Sequence, residues 1–180
     1  MTNDIVAELR ALASWPYDLP VADGISILAG NLDDAGDNLY PNIRVVATTG
    51  IERLLRALYP NGMQQKTMLD VACNGGAHSF FGHRLGADFV YGFDVRQHGI
   101  DQAMYLKERY EIEPSRLTFA CHHVDDLPQE GVFNVAIFSG IFYHLPAPVG
   151  VIRNIADRTK EAIYLRNLCI SLGESSWDSK

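Results

Sequence analysis

From residue 67 onward, the chain alternates short apolar runs with segments whose apolar residues recur at helical spacing. The apolar runs are Met68–Ala72, Phe89–Asp94, Leu117–Ala120, Phe133–Phe138 and Ala162–Leu165. Because strands that alternate with helices form parallel sheets with right-handed crossovers, these runs predict an α/β fold with helical layers on a parallel sheet. The near-continuous apolarity of the fourth run predicts a strand that is covered on both faces.

The first 60 residues follow a different pattern, which predicts a helix, a loop and a second helix. Ile5, Leu9 and Leu12 recur at helical spacing, whereas residues 14–42 are rich in Pro, Gly, Asp and Asn and predict a loop. Thr49–Glu52 has the form of a capping box, which predicts that the second helix begins there. The chain then divides into three predicted parts, an extension at 1–60, a core at 61–170 and a tail at 171–180.

Composition limits the classes of protein to which the chain can belong. Its 180 residues are 47% hydrophobic and 21% charged, which suits one globular domain. No run of about eighteen apolar residues occurs, so we expect no membrane span. Cys73, Cys121 and Cys169 are scattered, which favours a reducing, cytoplasmic setting. The net charge of -7 argues against a broad nucleic-acid surface.

The segment Asp70–Gly76 joins the first predicted strand to a helix through Ala72, Cys73, Asn74 and a Gly pair. In doubly wound sheets a nucleotide binds at this junction, because the backbone there can approach the ligand closely. Asn74 tolerates the left-handed conformation that such a turn needs. Asp94 ends the second predicted strand, eighteen residues after Gly76, where a carboxylate can accept both hydroxyls of a ribose.

Asp70 helps to choose between nucleotides. A dinucleotide places its pyrophosphate at the N-terminus of the following helix, and a carboxylate just before the loop would repel it. S-adenosylmethionine (SAM) carries an ammonium and a sulfonium there instead, so Asp70 suits that ligand. The missing G-x-G-x-x-G spacing also argues against an NAD- or FAD-dependent oxidoreductase. A SAM-binding module without catalysis stays open, because a fold does not fix a function.

Residues 67–145 resemble the class I SAM-dependent methyltransferases. The first motif of that family has the form acidic-x-G-x-G-x-G. Here Ala72 and Asn74 stand at two of the glycine positions, which leaves room for a ligand if Ala72 keeps a negative φ. The family's ribose-binding acid corresponds to Asp94. The resemblance implies a Rossmann-like, three-layer αβα fold with a mostly parallel sheet in the order 3-2-1-4-5, and SAM as the cofactor.

Two later segments extend this resemblance. His122–Pro128 is similar to the family's adenine-contacting stretch, with Asp125 or the Val124 amide in the binding role. Phe133–Gly140 is similar to the fourth motif, with Asn134 in place of its usual acid. The implied cofactor site consists of Asp70, Ala72, Cys73, Asn74, Gly76, Asp94, Val95, Val124, Asp125 and Ser139.

The acceptor side is less constrained by the sequence. The resemblance implies that residues 14–45, 140–148 and those beyond 167 form it, with the N-terminal extension as a lid. His144 is the candidate general base, with a structural role in its loop as the alternative. The adjacent His122 and His123 should point to opposite sides of an extended segment, so we predict no metal site. The acidic net charge favours a small-molecule acceptor over tRNA.

A narrower resemblance concerns the N-terminal third. Trp15–Tyr17 and Leu39–Pro41 are similar to the approach to the core in enzymes like the tRNA wobble-uridine carboxymethyltransferase, which keeps tRNA as an alternative acceptor. Class I methyltransferases usually continue with a helix and two antiparallel strands, for which the fourteen residues after Arg166 leave no room. We therefore expect the fifth strand at an exposed edge, in a fragment of a longer enzyme or in a homodimer paired there.

Overall fold

Two helices and a small antiparallel sheet form the N-terminal part of the computed structural model, which describes residues 2–16, 19–22, 25–27, 41–127 and 131–167. The elements are α1 (Thr2–Ala11), β1 (Leu19–Ala22), β2 (Ile25–Ile27) and α2 (Pro41–Leu58). Because β1 pairs antiparallel with β2, the prediction of a loop throughout residues 14–42 is wrong. Strands this short carry no periodicity from which a strand can be read.

The start of α2 also differs from the prediction. The helix begins at Pro41, and the Thr49–Glu52 segment lies in its interior, so the capping-box interpretation is wrong. Proline is favoured at the first helical position because its missing N–H has no partner there in any case. Ile51 and Leu55 are fully buried, whereas Leu58 is exposed. The apolar face of α2 is therefore narrower at its C-terminal end than its sequence indicates.

In the described part of the chain, five strands form the central sheet, and all four neighbouring pairs are parallel. The strands are β3 (Thr67–Val71), β4 (Phe89–Asp94), β5 (Leu117–Cys121), β6 (Phe133–Ser139) and β7 (Thr159–Arg166). Their spatial order is β5-β4-β3-β6-β7, which confirms the predicted order 3-2-1-4-5. Within the described ranges β7 is an edge strand, and residues 168–180 lie outside those ranges.

Within the described residues, three further helices and two short 3-10 turns connect the strands. They are α3 (Ala77–Arg84), α4 (Gln97–Arg109) and α5 (Pro148–Ala156), with the turns at Val124–Asp126 and Phe142–His144. Gly86 follows α3 with φ 90°, and its N–H donates to the His83 carbonyl at 2.9 Å, so the helix ends there. Among the helices that the structure describes, none has the length and apolarity needed to cross a membrane.

Alternate residues of the central strands pack into two separate cores. On one face, Met68 and its neighbours pack against helices α1 to α4, and on the other face, Leu69 and its neighbours pack against α5. This alternation follows from the two-residue period of a strand. Residues 135–138 of β6 have no exposed surface, which confirms that this strand is covered on both faces. Burial of Val135, Ile137 and Phe138 contributes roughly 1.5–3 kcal/mol each.

Hydrogen bonds fasten the N-terminal segment to α4. The Gln102 side-chain amide donates to the carbonyls of Leu12 at 2.7 Å and Ser14 at 2.9 Å. Trp15 follows and is buried in the core on the α1–α4 side. These contacts hold the chain in place as it reaches Pro16, which lies at the carboxyl edge of the sheet beside the loop after β3.

A polar network ties the amino ends of β3, β6 and β7 together. The Asn134 side chain accepts a hydrogen bond from the Thr67 N–H at 2.9 Å and donates one to Glu161 at 2.7 Å. Glu161 also accepts from Lys66 Nζ at 2.6 Å and from the Tyr59 hydroxyl at 2.9 Å. Lys66 first and Tyr59 second hold the pKa of Glu161 below its ordinary value. Asn134 stands where the family resemblance implies an acid, and the amide is needed because it must both accept and donate.

Asn134→Asp is expected to lower the free energy of unfolding by about 1 kcal/mol at pH 7, because it replaces a donor to Glu161 with a second carboxylate. Urea denaturation measures the difference. In a double-mutant cycle the same change should cost less in a Glu161→Gln background, where the like-charge contact is absent. An equal cost in both backgrounds would show that the carboxylate contact is not the cause.

Candidate functional site

A cavity of about 630 Å³ opens at the carboxyl ends of the central strands. Sites for small ligands have volumes of roughly 300–1,000 Å³, and open α/β sheets bind ligands at this edge, where the strand order reverses. Here the reversal falls at β3, between β4 and β6. The lining residues are Pro16, Ala72, Asn74, Phe93, Asp94, Val95, Arg96, His122, His123, Val124, Ser139, Gly140, Ile141, His144, Leu145 and Arg166.

The loop between β3 and α3 forms one wall of the cavity and turns left-handed three times. The φ angles are 57° at Ala72, 52° at Asn74 and 78° at Gly76. The predicted left-handed conformation of Asn74 is confirmed, whereas the predicted negative φ of Ala72 is wrong. The turn at Ala72 brings the Cys73 N–H onto the Phe93 carbonyl of β4 at 2.8 Å. A backbone hydrogen bond to the neighbouring strand thus accompanies the unfavourable φ.

Asp94, at the end of β4, has a carboxylate that accepts hydrogen bonds from two backbone amides. The residue is 2% exposed. The Asn74 N–H donates to Oδ2 and the Arg96 N–H donates to Oδ1, both at 2.9 Å. One amide belongs to the loop after β3 and the other to the turn into α4. The carboxylate therefore joins the two strand-to-helix turns that flank the cavity.

The Arg96 guanidinium occupies the remaining acceptor positions of Asp94. Nε lies 3.1 Å from Oδ1, and Nη2 lies 3.3 Å from Oδ2. A carboxylate has about four acceptor positions, of which backbone amides hold two. The Arg96 side chain is 62% exposed, so it is not part of the core. Two neighbouring hydroxyls of a ribose would suit the two acceptor positions that Arg96 occupies.

Asp70 is 1% exposed and lies beside the first turn of α3, outside the cavity lining. The Ser79 hydroxyl donates to Oδ2 at 2.6 Å, and His78 Nδ1 lies 3.9 Å from Oδ1. A negative charge at a helix N-terminus is stabilised by the helix dipole. Asp70 therefore fixes the loop through α3, and its charge stays close to the loop, which disfavours a pyrophosphate there.

His122 and His123 have different structural roles on the opposite wall. The His122 ring stacks on Phe93 with ring centroids 4.5 Å apart. Its Nδ1 lies 2.7 Å from the His123 carbonyl, which can only accept, so Nδ1 carries the proton and Nε2 accepts from the Tyr91 hydroxyl at 2.9 Å. His123 caps the next turn through the Asp125 N–H. In the described ranges no group of three or more potential metal ligands occurs.

The carboxyl ends of β6 and β7 form the far end of the cavity. Ser139 and Arg166 are register partners, and the Gly140 N–H donates to the Arg166 carbonyl at 2.9 Å. The 3-10 turn that follows β6 ends at His144, which is exposed and also lines the cavity. Arg166 is half-buried. This end therefore presents one arginine and one histidine.

A family model for a methyltransferase domain matches residues 63–171, and this match covers the loop after β3, Asp94 and the ends of β6 and β7. The chain belongs to the class I SAM-dependent methyltransferases. The chain is 25% identical over 127 residues to a tRNA U34 carboxymethyltransferase of Psychromonas ingrahamii. The matched region covers 69% of this chain and 38% of that protein. It is 28% identical over 111 residues to a ubiquinone biosynthesis O-methyltransferase of Neisseria meningitidis serogroup C. This match covers 59% of this chain and 46% of that protein.

One solved structure has a fold similar to that of this chain. It is the N-terminal domain of EvdMO1 in the presence of SAH and D-fucose, with a TM-score of 0.66 and 17% identity. The match covers 91% of this chain and 63% of that one. At this identity the likeness shows the fold. The chain spans less than half the length of the two curated relatives, 38% and 46%.

The structure brings most of the predicted site residues of this methyltransferase-family chain to one cavity. Those in the lining are Ala72, Asn74, Asp94, Val95, Val124, Ser139 and His144. Asp70, Cys73, Gly76 and Asp125 lie outside the lining. Burial raises the pKa of the Cys73 thiol, which suits a small packing residue. A Cβ on Gly76 would lie 2.7 Å from the Phe119 ring, so this glycine is needed for packing.

Sequence reasoning missed Arg96 and Arg166 as lining residues, and it included His122 in the adenine-contacting stretch without giving it a role. Both arginines carried a usable signal. Arg96 comes two residues after the strand-end acid, and Arg166 is the last residue of the fifth strand, at the edge where α/β sheets bind ligands. The orientation of His122 was not predictable, because it depends on contacts of the ring with Phe93 and Tyr91.

Ala72→Gly is expected to raise the free energy of unfolding by about 1 kcal/mol, because a left-handed conformation costs an L-residue roughly 1–2 kcal/mol that glycine avoids. Chemical denaturation measures the change. The matched control is Ala57→Gly on the exposed side of α2, where glycine should destabilise by about 1 kcal/mol. Destabilisation of similar size at both positions would contradict the left-handed assignment of Ala72.

Asp94→Ala is expected to weaken SAM binding by about 1.5–3 kcal/mol, because hydrogen bonds from two hydroxyls to a charged acceptor are lost. Isothermal calorimetry measures the affinity, and thermal melting shows whether the loop stays folded without its carboxylate. Asp94→Asn, which keeps one acceptor oxygen, should lose less. Asp101→Ala on the exposed side of α4 is the control. If Asp94→Ala and Asp101→Ala bind SAM with equal affinity, Asp94 is not part of the site.

Proposed function

We propose that this chain binds SAM in the cavity and transfers its methyl group to a small-molecule acceptor. The observation that carries the proposal is the Asp94 carboxylate, which lines the cavity. Among the described residues, two of its acceptor positions are covered only by the exposed side chain of Arg96. Two ribose hydroxyls fit these positions. A cavity of about 630 Å³ is large enough for a nucleoside-sized ligand.

The proposed cofactor site uses three walls. Asp94 would accept the ribose hydroxyls, the stacked rings of Phe93 and His122 with Val124 offer a flat apolar surface for a base, and the left-handed loop at residues 72–76 exposes backbone. When bound, the cofactor supplies an electrophilic methyl carbon on a sulfonium. The chain supplies orientation, because rigid strand ends that hold both reactants can lower the barrier by roughly 7–11 kcal/mol.

His144 is the proposed proton acceptor for a hydroxyl or amine acceptor. It lies in the turn after β6 and lines the cavity. Its ring packs beside Tyr143 with centroids 4.3 Å apart, and it forms no hydrogen bond to a side chain in the described ranges. A neutral imidazole keeps one nitrogen with an open lone pair, which can take a proton as the methyl group arrives.

Relatives differ in the acceptor that their names imply. One relative is a tRNA modifier and the other acts in ubiquinone biosynthesis. The net charge of -7 favours a small molecule, since tRNA binding relies on neutralised phosphates and weakens steeply with added salt. A second candidate function is SAM binding without catalysis, because the fold alone does not require chemistry.

Calorimetry with SAM, SAH and NAD tests the cofactor, and SAH formation with a panel of hydroxyl and amine acceptors tests transfer. We expect SAM and SAH to bind and NAD not to bind. With an acceptor that is protonated at neutral pH, His144→Gln should lower kcat about 100-fold and flatten its dependence on pH. Cofactor binding without turnover would favour the non-catalytic candidate, and salt-sensitive binding of bulk tRNA would favour the tRNA acceptor.

A further inference from the structure

One end of the cavity carries a positive charge that SAM does not require. The described residues that line the cavity include two arginines and three histidines. They include a single carboxylate, Asp94. Arg96 is paired with that carboxylate. Arg166 remains, and within the part of the chain that the structure describes, its guanidinium forms no ion pair or hydrogen bond. This local excess of positive charge runs against the net charge of -7.

Arg166 and Asp94 mark opposite ends of the cavity. Asp94 ends β4 and Arg166 ends β7, so three inter-strand steps separate them in the order β4-β3-β6-β7. At about 4.8 Å a step, the two strand ends lie about 14 Å apart. The Arg166 backbone is fixed by the hydrogen bond from the Gly140 N–H at 2.9 Å. A ligand group that binds Arg166 is therefore held on a rigid strand end, away from the ribose position.

Among the described residues the Arg166 guanidinium has no counter-ion, and such a charge at this end is unfavourable when SAM binds alone. The sulfonium of SAM is cationic, and like charges repel in a partly buried cavity. A half-buried guanidinium also loses hydration that a partner must replace. A second ligand with a negative charge removes both costs. The planar fork of arginine suits a carboxylate or a phosphate, which it binds through two parallel hydrogen bonds.

We propose that Arg166 binds an anionic group, a carboxylate or a phosphate, of the methyl acceptor. This inference rests on the proposed function, since it assigns the acceptor class of the same cavity. The acceptor is a small molecule, because one arginine pairs with one anionic group, whereas an RNA backbone requires several cations. The amino-acid carboxylate of the cofactor has the same chemistry, so the experiment must separate the two sources.

Arg166→Gln and Arg166→Lys test the inference, with Arg153→Gln on the exposed side of α5 as the matched control. Inorganic phosphate and benzoate are titrated into SAH-saturated protein and followed by calorimetry or NMR. Arg166→Gln should weaken both probes at least tenfold, and Arg166→Lys should weaken benzoate less than Arg166→Gln does. Arg153→Gln should leave both affinities unchanged. The affinity for SAM should stay the same or rise up to threefold in Arg166→Gln, because the repulsion of the sulfonium is removed.

Three results would overturn the inference. The first is equal binding of the probes to the wild type and to Arg166→Gln, and the second is no binding of either probe to the wild type. The third is a loss of SAM and SAH affinity in Arg166→Gln with unchanged affinity for 5′-methylthioadenosine, which lacks the amino-acid carboxylate. That pattern assigns Arg166 to the cofactor. A wild type that fails to bind SAM would instead contradict the proposed function, and Arg166→Lys keeps the test valid if Arg166→Gln does not fold.

Discussion

The site depends on one buried charge, the carboxylate of Asp94. A carboxylate removed from water is costly unless donors surround it, and here the backbone supplies two, from Asn74 and Arg96. These donors belong to the two turns that leave β3 and β4. Because the carboxylate needs both amides, it holds both turns in one arrangement. The shape of the cavity between them follows from the need to satisfy that one group.

The central sheet was predictable because few physical alternatives existed. Runs such as residues 135–138 are apolar on both faces and must be covered on both, and parallel strands with helical crossovers allow few orders. The N-terminal part was not predictable in the same way. β1 and β2 have four and three residues, too few to show a period. Thr49–Glu52 resembles a helix start, although the helix had already begun at Pro41.

In the candidate site, the positions of residues were predictable from the sequence, whereas the orientations of their side chains were not. Residues at strand ends, such as Asp94 and Ser139, were predictable because the carboxyl edge of a parallel sheet is shared by all its strands. Orientation was not, because it depends on partners that are distant in sequence. Asp70 faces Ser79 rather than the cavity. The left-handed φ of Ala72 accompanies a hydrogen bond from the Cys73 N–H to Phe93 of the neighbouring strand, and no local propensity indicates this.

The bond between Arg96 and Asp94 has a consequence for the electrostatics of the cavity. A neutral diol that takes the two positions of the guanidinium on Asp94 displaces a cation from its counter-ion. The carboxylate is then bonded to neutral groups and no longer neutralises the guanidinium of Arg96. Binding of such a ligand changes the charge distribution in the cavity without uptake or release of a proton. A nucleoside and an anion that share the cavity would therefore be coupled, and by linkage each would strengthen the binding of the other to the same extent.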